Sequence, residues 1–179
     1  GVRSAFGGGT TLTYEDAKAI KSSSKVSSVA KVSPELSKRS QVVTGQNNTN
    51  TQIYGVTPEY FEVKKVDISF GGFLTESQIN SMSKVAVLGP QVVEDLFGDS
   101  SKNVVGETVR IENQSFKVTG ITKEKGGSGM NNQDDMVFIP LTTAMKVLYG
   151  QSYLSSISVE AKSEDVMVKA QDEIGYLLL

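Results

Sequence analysis

Among 179 residues this chain has no cysteine and no histidine, which removes most of the side chains that carry chemistry. Thiol nucleophiles, Ser-His-Asp and Cys-His arrangements, and nearly all zinc, haem and iron–sulfur sites are thereby excluded. Oxygen chemistry remains, as a carboxylate pair for acid–base work or an all-oxygen site for calcium or magnesium. Asn131, Asn132, Asp134 and Asp135 are candidate calcium ligands. Their spacing does not follow the alternating ligands of an EF-hand loop, and no glutamate stands where a bidentate ligand would, so they read as a solvated loop end. The chain holds 20 acidic residues but no tryptophan. A glycosidase pair would lack its sugar platform, and the acids read as solvated surface.

Two glycine clusters resemble phosphate cradles only superficially. Gly7-Gly8-Gly9-Thr10-Thr11 has no lysine to offset phosphate charge and follows no strand, so it reads as a linker. Gly126-Gly127-Ser128-Gly129 lacks the strand-to-helix setting of a dinucleotide fingerprint and reads as loop. Asn47-Asn48-Thr49 and Asn113-Gln114-Ser115 match the glycosylation pattern, which implies only exposed turns. The residues thus predict no catalytic, cofactor-binding or metal-binding set, and no enzyme.

Composition points the same way. Hydrophobic residues make up 38% and charged residues 21%, an ordinary globular balance that length allows to be one domain or two small subdomains. The formal charge of -2 is spread along the chain with no basic run, so nucleic acid is not expected as a partner. No apolar run approaches the ~20 residues of a membrane helix, and no signal-peptide pattern is visible.

The elements follow from local signals. A flexible lead is expected over 1–12. Thr13 is placed to cap a short helix with Glu15 and Asp16 in its first turn. A strand is expected over 25–36, interrupted near Pro34, and a turn over 45–50 before a strand over 51–56. Pro58 opens a helical turn, Thr75 and Glu76 open another, and 84–88 is the clearest buried strand. After Gly89-Pro90, Val92, Val93, Leu96 and Phe97 lie on one side of a helix. A hairpin over 106–123 turns at Glu112-Asn113-Gln114. The glycine-rich loop over 123–135 is long enough to be mobile or functional. A strand over 136–139, a helix over 141–148, a strand over 154–161 and a Ser163-capped helix with an apolar stripe (Val166, Ala170, Ile174, Leu177, Leu178) complete the chain. Strands and helices mix without regular alternation, which predicts an α+β fold of mixed sheets and short helices. The bare Leu177-Leu178-Leu179 reads as the approach to a membrane helix.

The succession Val85-Ala-Val-Leu-Gly89, Val92-Val93, Leu96-Phe97-Gly98, Val105-Gly106, Val109-Arg110-Ile111 and Phe116-Lys-Val-Thr-Gly-Ile121 resembles the MacB-like periplasmic core domain of ABC transporter permeases of the MacB/FtsX type. Ile53-Tyr-Gly-Val-Thr-Pro-Glu-Tyr-Phe61 is similar to the family's V-x-P-x-Y-F segment. Asp134-Asp-Met-Val-Phe-Ile-Pro-Leu-Thr-Thr-Ala144, Leu148-Tyr-Gly150 and Ile157-Ser-Val-Glu-Ala161 continue the likeness. The chain departs from the family at Phe70-Gly-Gly-Phe73, which lacks the usual arginine, and at Val104-Val105-Gly106, which lacks the usual proline.

The resemblance implies a porter-like α/β part over 13–66 with 142–179 and a smaller insert over 67–141. It also implies a place on the extracytoplasmic face, periplasmic or extracellular, between flanking transmembrane helices. The implied partners are a membrane-fusion adaptor or another extracytoplasmic protein, a cytoplasmic ATPase reached through the parent permease, and a second copy in a homodimer. The expected function is mechanical coupling of ATP-driven change to export or to such a partner, without a cofactor. Alternatives are an FtsX-like or lipoprotein-releasing domain that binds a hydrolase activator or lipoprotein chaperone, and a stand-alone secreted binding module.

Overall fold

The computed structural model describes residues 2–7, 12–22, 29–126 and 132–161. Within them lie the strands β1 (Val2–Gly7), β2 (Val29–Thr44), β3 (Asn47–Val56), β4 (Ile68–Gly71), β5 (Val85–Leu88), β6 (Thr108–Ile111), β7 (Gln114–Thr122), β8 (Met136–Pro140) and β9 (Ser156–Ala161). The helices are α1 (Tyr14–Ser22), α2 (Glu59–Val63), α3 (Glu76–Asn80) and α4 (Pro90–Phe97), joined by a 3-10 turn at Gln133–Asp135 and a π-helical turn at Thr143–Leu148. The fold is α+β, with mixed strand directions and short helices, as the residue pattern predicts.

The long strand β2 serves two sheets. Its first half, up to Glu35, pairs antiparallel with β9, whose other edge takes β1. From Leu36 onward it pairs with β3 instead. β3 then pairs parallel with β8, β8 antiparallel with β5, and β5 parallel with β7. β7 pairs with β6, and β6 returns to β2 through Val42–Ile111 and Val43–Arg110, so these six strands close into a ring. Closure leaves no open edge within the ring. β4 pairs with the far half of β7.

Period-two alternation sorts the side chains between two cores. Val42, Ile53, Ala86, Leu88, Val109, Ile111, Phe116, Val118, Val137 and Ile139 are fully buried in one cluster. It continues to Ala17 and Ile20 of α1, to Val92, Val93 and Leu96 of α4, and to Ile157 and Val159 of β9. The alternate residues of the same strands, Val87, Met136 and Phe138, point the other way. They join Val56, Tyr60, Val66 and Leu74 in a second core. β8 is therefore buried on both faces, which explains its unbroken apolar run.

Local signals behave as expected at several ends. Thr13 Oγ1 accepts from the Asp16 N–H at 3.2 Å while Asp16 Oδ2 accepts from the Thr13 N–H at 3.0 Å. Thr75 and Gln78 form the same reciprocal box on α3. Gly98 closes α4 in the left-handed region, with φ 87°.

Other expectations are corrected. Residues 2–7, expected within a flexible lead, form β1, because the edge of β9 offers an unmet row of backbone donors and acceptors. The turn expected over 45–50 shrinks to Gly45-Gln46, and β3 starts at Asn47. Asn47–Asn50 pair with Gln41–Thr44, and this ladder overrides the turn preference of asparagine. Pro34 does not interrupt β2. At that point only the β9 edge is paired, so the missing N–H is tolerated. The helix expected over 141–148 widens, with the Tyr149 N–H donating to the Ala144 carbonyl five residues back. Thr142 and Thr143 hydroxyls there bond to the Ile79 and Ser83 carbonyls. The Ser163-capped helix lies outside the described residues.

Candidate functional site

The loop over 123–135, singled out by length and glycine content, is tied down at its described ends. Asp134 accepts from the Lys125 N–H at 2.9 Å and the Gly126 N–H at 2.8 Å, and its own N–H donates to Asn132 Oδ1 at 2.9 Å. Asp135 Oδ1 accepts from the Thr51 hydroxyl at 2.8 Å. Asp134 is buried, so the reading of these acids as a solvated loop end is corrected for it. Its carboxylate replaces water with two backbone donors. Asn131 and residues 127–130 lie outside the described residues. Among the described residues no group of three or more acidic side chains converges as a metal site would. The glycosylation-pattern asparagines, Asn47 and Asn113, are exposed, and Asn47 Nδ2 donates to the Leu96 carbonyl at 2.9 Å.

The loop's return leads to a site that residue patterns did not single out. On one face of the sheet, Ser33, Glu35 and Ser37 of β2 stand beside Ser158 and Ser156 of β9 and Tyr54 of β3. The opposite face carries Val32, Leu36, Ile53, Ile157 and Val159 in the main core. The polar face is covered by α2, with Tyr60, and by Lys64 just beyond it. Gln133 of the 3-10 turn closes one wall, and a cavity of ≈ 280 Å³ remains. Lys125 Nζ donates to the Lys64 carbonyl at 3.1 Å, which fixes the loop to the rim. The alternation Ser33-x-Glu35-x-Ser37 and Ser156-x-Ser158 was a visible signal, but only the register reveals that the two runs are neighbours.

Glu35 is 4% exposed and accepts a hydrogen bond from the Ser158 hydroxyl. Burial pushes its carboxyl above the usual 4.5, against the opposing pull of Ser158, the Lys64 ammonium and Ser156. Burial and then the Glu35 charge raise the Tyr54 phenol, and the same causes followed by Tyr54 raise Tyr60. The two rings meet edge to face at 6.1 Å. Among the described residues, the buried Gln133 Oε1 and Ser33 Oγ meet no hydrogen-bond partner.

The raised carboxyl has a consequence for stability. The folded chain holds a proton on Glu35 at pH values where the unfolded chain has released it. Stability from this group therefore falls as pH rises from 4.5 through the raised value, and returns on acidification. Glu35→Gln keeps an acceptor for Ser158 but cannot titrate. Its stability relative to the parent is expected to improve as pH rises across that window, read from urea midpoints at several pH values. A difference that stays constant with pH would contradict this.

A second, larger hollow of ≈ 650 Å³ opens between α1 and the π-helical turn, lined by Tyr14, Lys18, Met145, Lys146 and Gln151.

The overall shape has solved counterparts. The extracellular domain of the noncanonic ABC-type transporter YknZ from Gram-positive bacteria superposes with a TM-score of 0.81 at 22% identity, over 97% of this chain and 90% of that one. The periplasmic region of MacB from Actinobacillus actinomycetemcomitans gives 0.83 at 22% identity, over 98% and 81%. The fold is thus that of the external domains of ABC-type transporters. Sequence makes the assignment narrower. Residues 2–177 match the model of the MacB-like periplasmic core domain, and the chain belongs to that family. It is 33% identical over 178 residues to the macrolide export ATP-binding/permease protein MacB of Bdellovibrio bacteriovorus, covering 99% of this chain and 27% of that protein. The Chlorobium luteolum protein of the same name is 36% identical over 169 residues, covering 94% and 25%. The chain thus spans about a quarter of the length of these relatives. Among the described residues no helix is long and apolar enough to cross a membrane.

Proposed function

We propose that this domain works outside the cytoplasm as the external part of an ABC transporter permease, and that it acts by binding and by passing on motion rather than by catalysis. The family match over 2–177 carries this reading. Flanking transmembrane helices would anchor it, and a second copy would face it in a homodimer. A cytoplasmic ATPase would drive the pair, in keeping with the ATP-binding/permease names of the relatives, since this chain carries no lysine-bearing phosphate loop of its own. The closed ring and the two cores give a body that resists deformation, so movement of the helices would reach its far surfaces intact. We divide the chain into a porter-like part over 13–66 with 142–179 and an insert over 67–141, joined through the β3–β8 and β2–β6 ladders.

Contacts to a membrane-fusion adaptor or another extracytoplasmic protein are assigned to the loop over 123–135 and to the insert. The supporting observation is that the described ends of the loop are held to the body of the domain by Asp134 and Lys125.

This domain has no cysteine of its own, so a direct test is possible once any cysteines elsewhere in the parent permease are replaced. A single cysteine at exposed Ser101, spin-labelled in the parent permease, reports the separation of the two copies. Trapping the ATP-bound state is expected to shift the label–label distance distribution by several times its error. A distribution unchanged by nucleotide would overturn mechanical coupling, and the lack of any label–label interaction would overturn the dimer.

A further inference from the structure

We infer that the cavity between β2, β9 and α2 is a binding site for a primary ammonium group on an unbranched alkyl stem, with Glu35 as its counter-ion. The site is built. A buried carboxyl lines a cavity of ≈ 280 Å³ together with two tyrosines whose rings are set at 67° to each other. Aromatic faces and a carboxylate are the two surroundings that stabilise a desolvated cation. Among the described residues Gln133 Oε1 meets no hydrogen-bond donor, and as a carbonyl oxygen it can only accept, so it suits a donor group. Ser33 Oγ, on the same face of β2, is also unpaired. An ammonium group brings three donors, which Glu35, Gln133 Oε1 and the serine hydroxyl oxygens can accept. The volume lies at or below the lower limit for drug-sized ligands, which favours a side-chain-sized group over a bulky cargo.

The groups facing Glu35 set the pH behaviour. From β9 come the hydroxyls of Ser156 and Ser158, from β3 Tyr54, from α2 Tyr60, and from the 3-10 turn Gln133. Lys31, further along the polar face of β2, is engaged by Glu62. Among the described residues Lys64 is the one cation lining the cavity, and its charge favours the Glu35 carboxylate. Lys64 therefore competes with an incoming ammonium, and binding strengthens as pH rises and Glu35 loses its proton.

Titration of the 179-residue chain with n-butylammonium, followed by NMR shifts of the residues around Glu35, tests the assignment. Saturable shifts are expected, with affinity rising as pH is raised above 4.5 and n-butanol giving none. Glu35→Gln is expected to weaken binding about tenfold or more, and Lys64→Met to tighten it severalfold. Tyr54→Leu, which leaves the buried carboxyl in place, is expected to weaken binding without abolishing it. A lysine-containing tetrapeptide that binds more tightly than butylammonium identifies the source as a partner protein's side chain. A weaker one identifies a free amine. No saturable shift, equal binding of butanol, or unchanged affinity in a folded Glu35→Gln chain would each overturn the inference.

Discussion

Phe138→Ala is expected to destabilise the chain by about 3–5 kcal/mol. Phe138 is fully buried at the middle of β8, on the side facing away from the ring interior. Its ring lies 5.2 Å from Tyr60, 5.6 Å from Phe73 and 6.2 Å from Tyr54, so one side chain joins α2, β3 and the segment leading to α3. Truncation removes the transfer energy of the ring and leaves a void among large, rigid neighbours that cannot collapse into it. Urea unfolding should show a lower midpoint with an unchanged slope. Phe138→Leu should recover much of the loss, because it fills most of the void. A loss below about 1 kcal/mol for the alanine variant would mean that the second core does not form a cooperative unit with the first.

Gly120→Ala is expected to cost about 3 kcal/mol, although it adds a single carbon. A Cβ at Gly120 would lie 2.0 Å from the Gly72 carbonyl oxygen and 3.0 Å from its carbon. Those are backbone atoms, fixed by the pairing of Gly71 with Gly120 and by the Gly72 N–H on the Thr119 carbonyl at 3.2 Å. No side-chain rotation relieves the contact, so β4 must leave β7 or β7 must distort. Amide exchange should accelerate at 68–72 more than elsewhere. Gly72→Ala supplies the control, since a Cβ there meets nothing within 4 Å and should change stability by less than about 0.5 kcal/mol. Equal effects at the two glycines would rule out close backbone approach as the cause.

The legible parts of this protein share one property, which is that their determinants lie within a few residues of one another. Thr13 with Asp16 and Thr75 with Gln78 cap helices through reciprocal bonds three residues apart. Val92, Val93 and Leu96 followed by Gly98 define both the buried side and the end of α4. Val109 and Ile111 alternate out to a tight turn, and Phe116 and Val118 alternate back. The same short-range patterns, taken in order, were specific enough to resemble the family to which the chain belongs. The lack of cysteine and histidine narrowed the available chemistry without any structure at all.

Tertiary structure decided whatever depended on a partner distant in sequence. β1 exists because β9 offers it an edge, and β2 runs through Pro34 because that edge of the strand is unpaired there. Asn47–Asn50 are strand rather than turn because Gln41–Thr44 face them. Asp134, a plausible surface acid by composition, is buried because two backbone N–H groups of the preceding loop converge on it. Glu35 was indistinguishable from the other glutamates until register set Ser156 and Ser158 beside it and α2 closed over it. A side chain's type is a local fact, whereas its burial and electrostatic surroundings are set by residues up to 123 positions away, as the Ser158–Glu35 bond is.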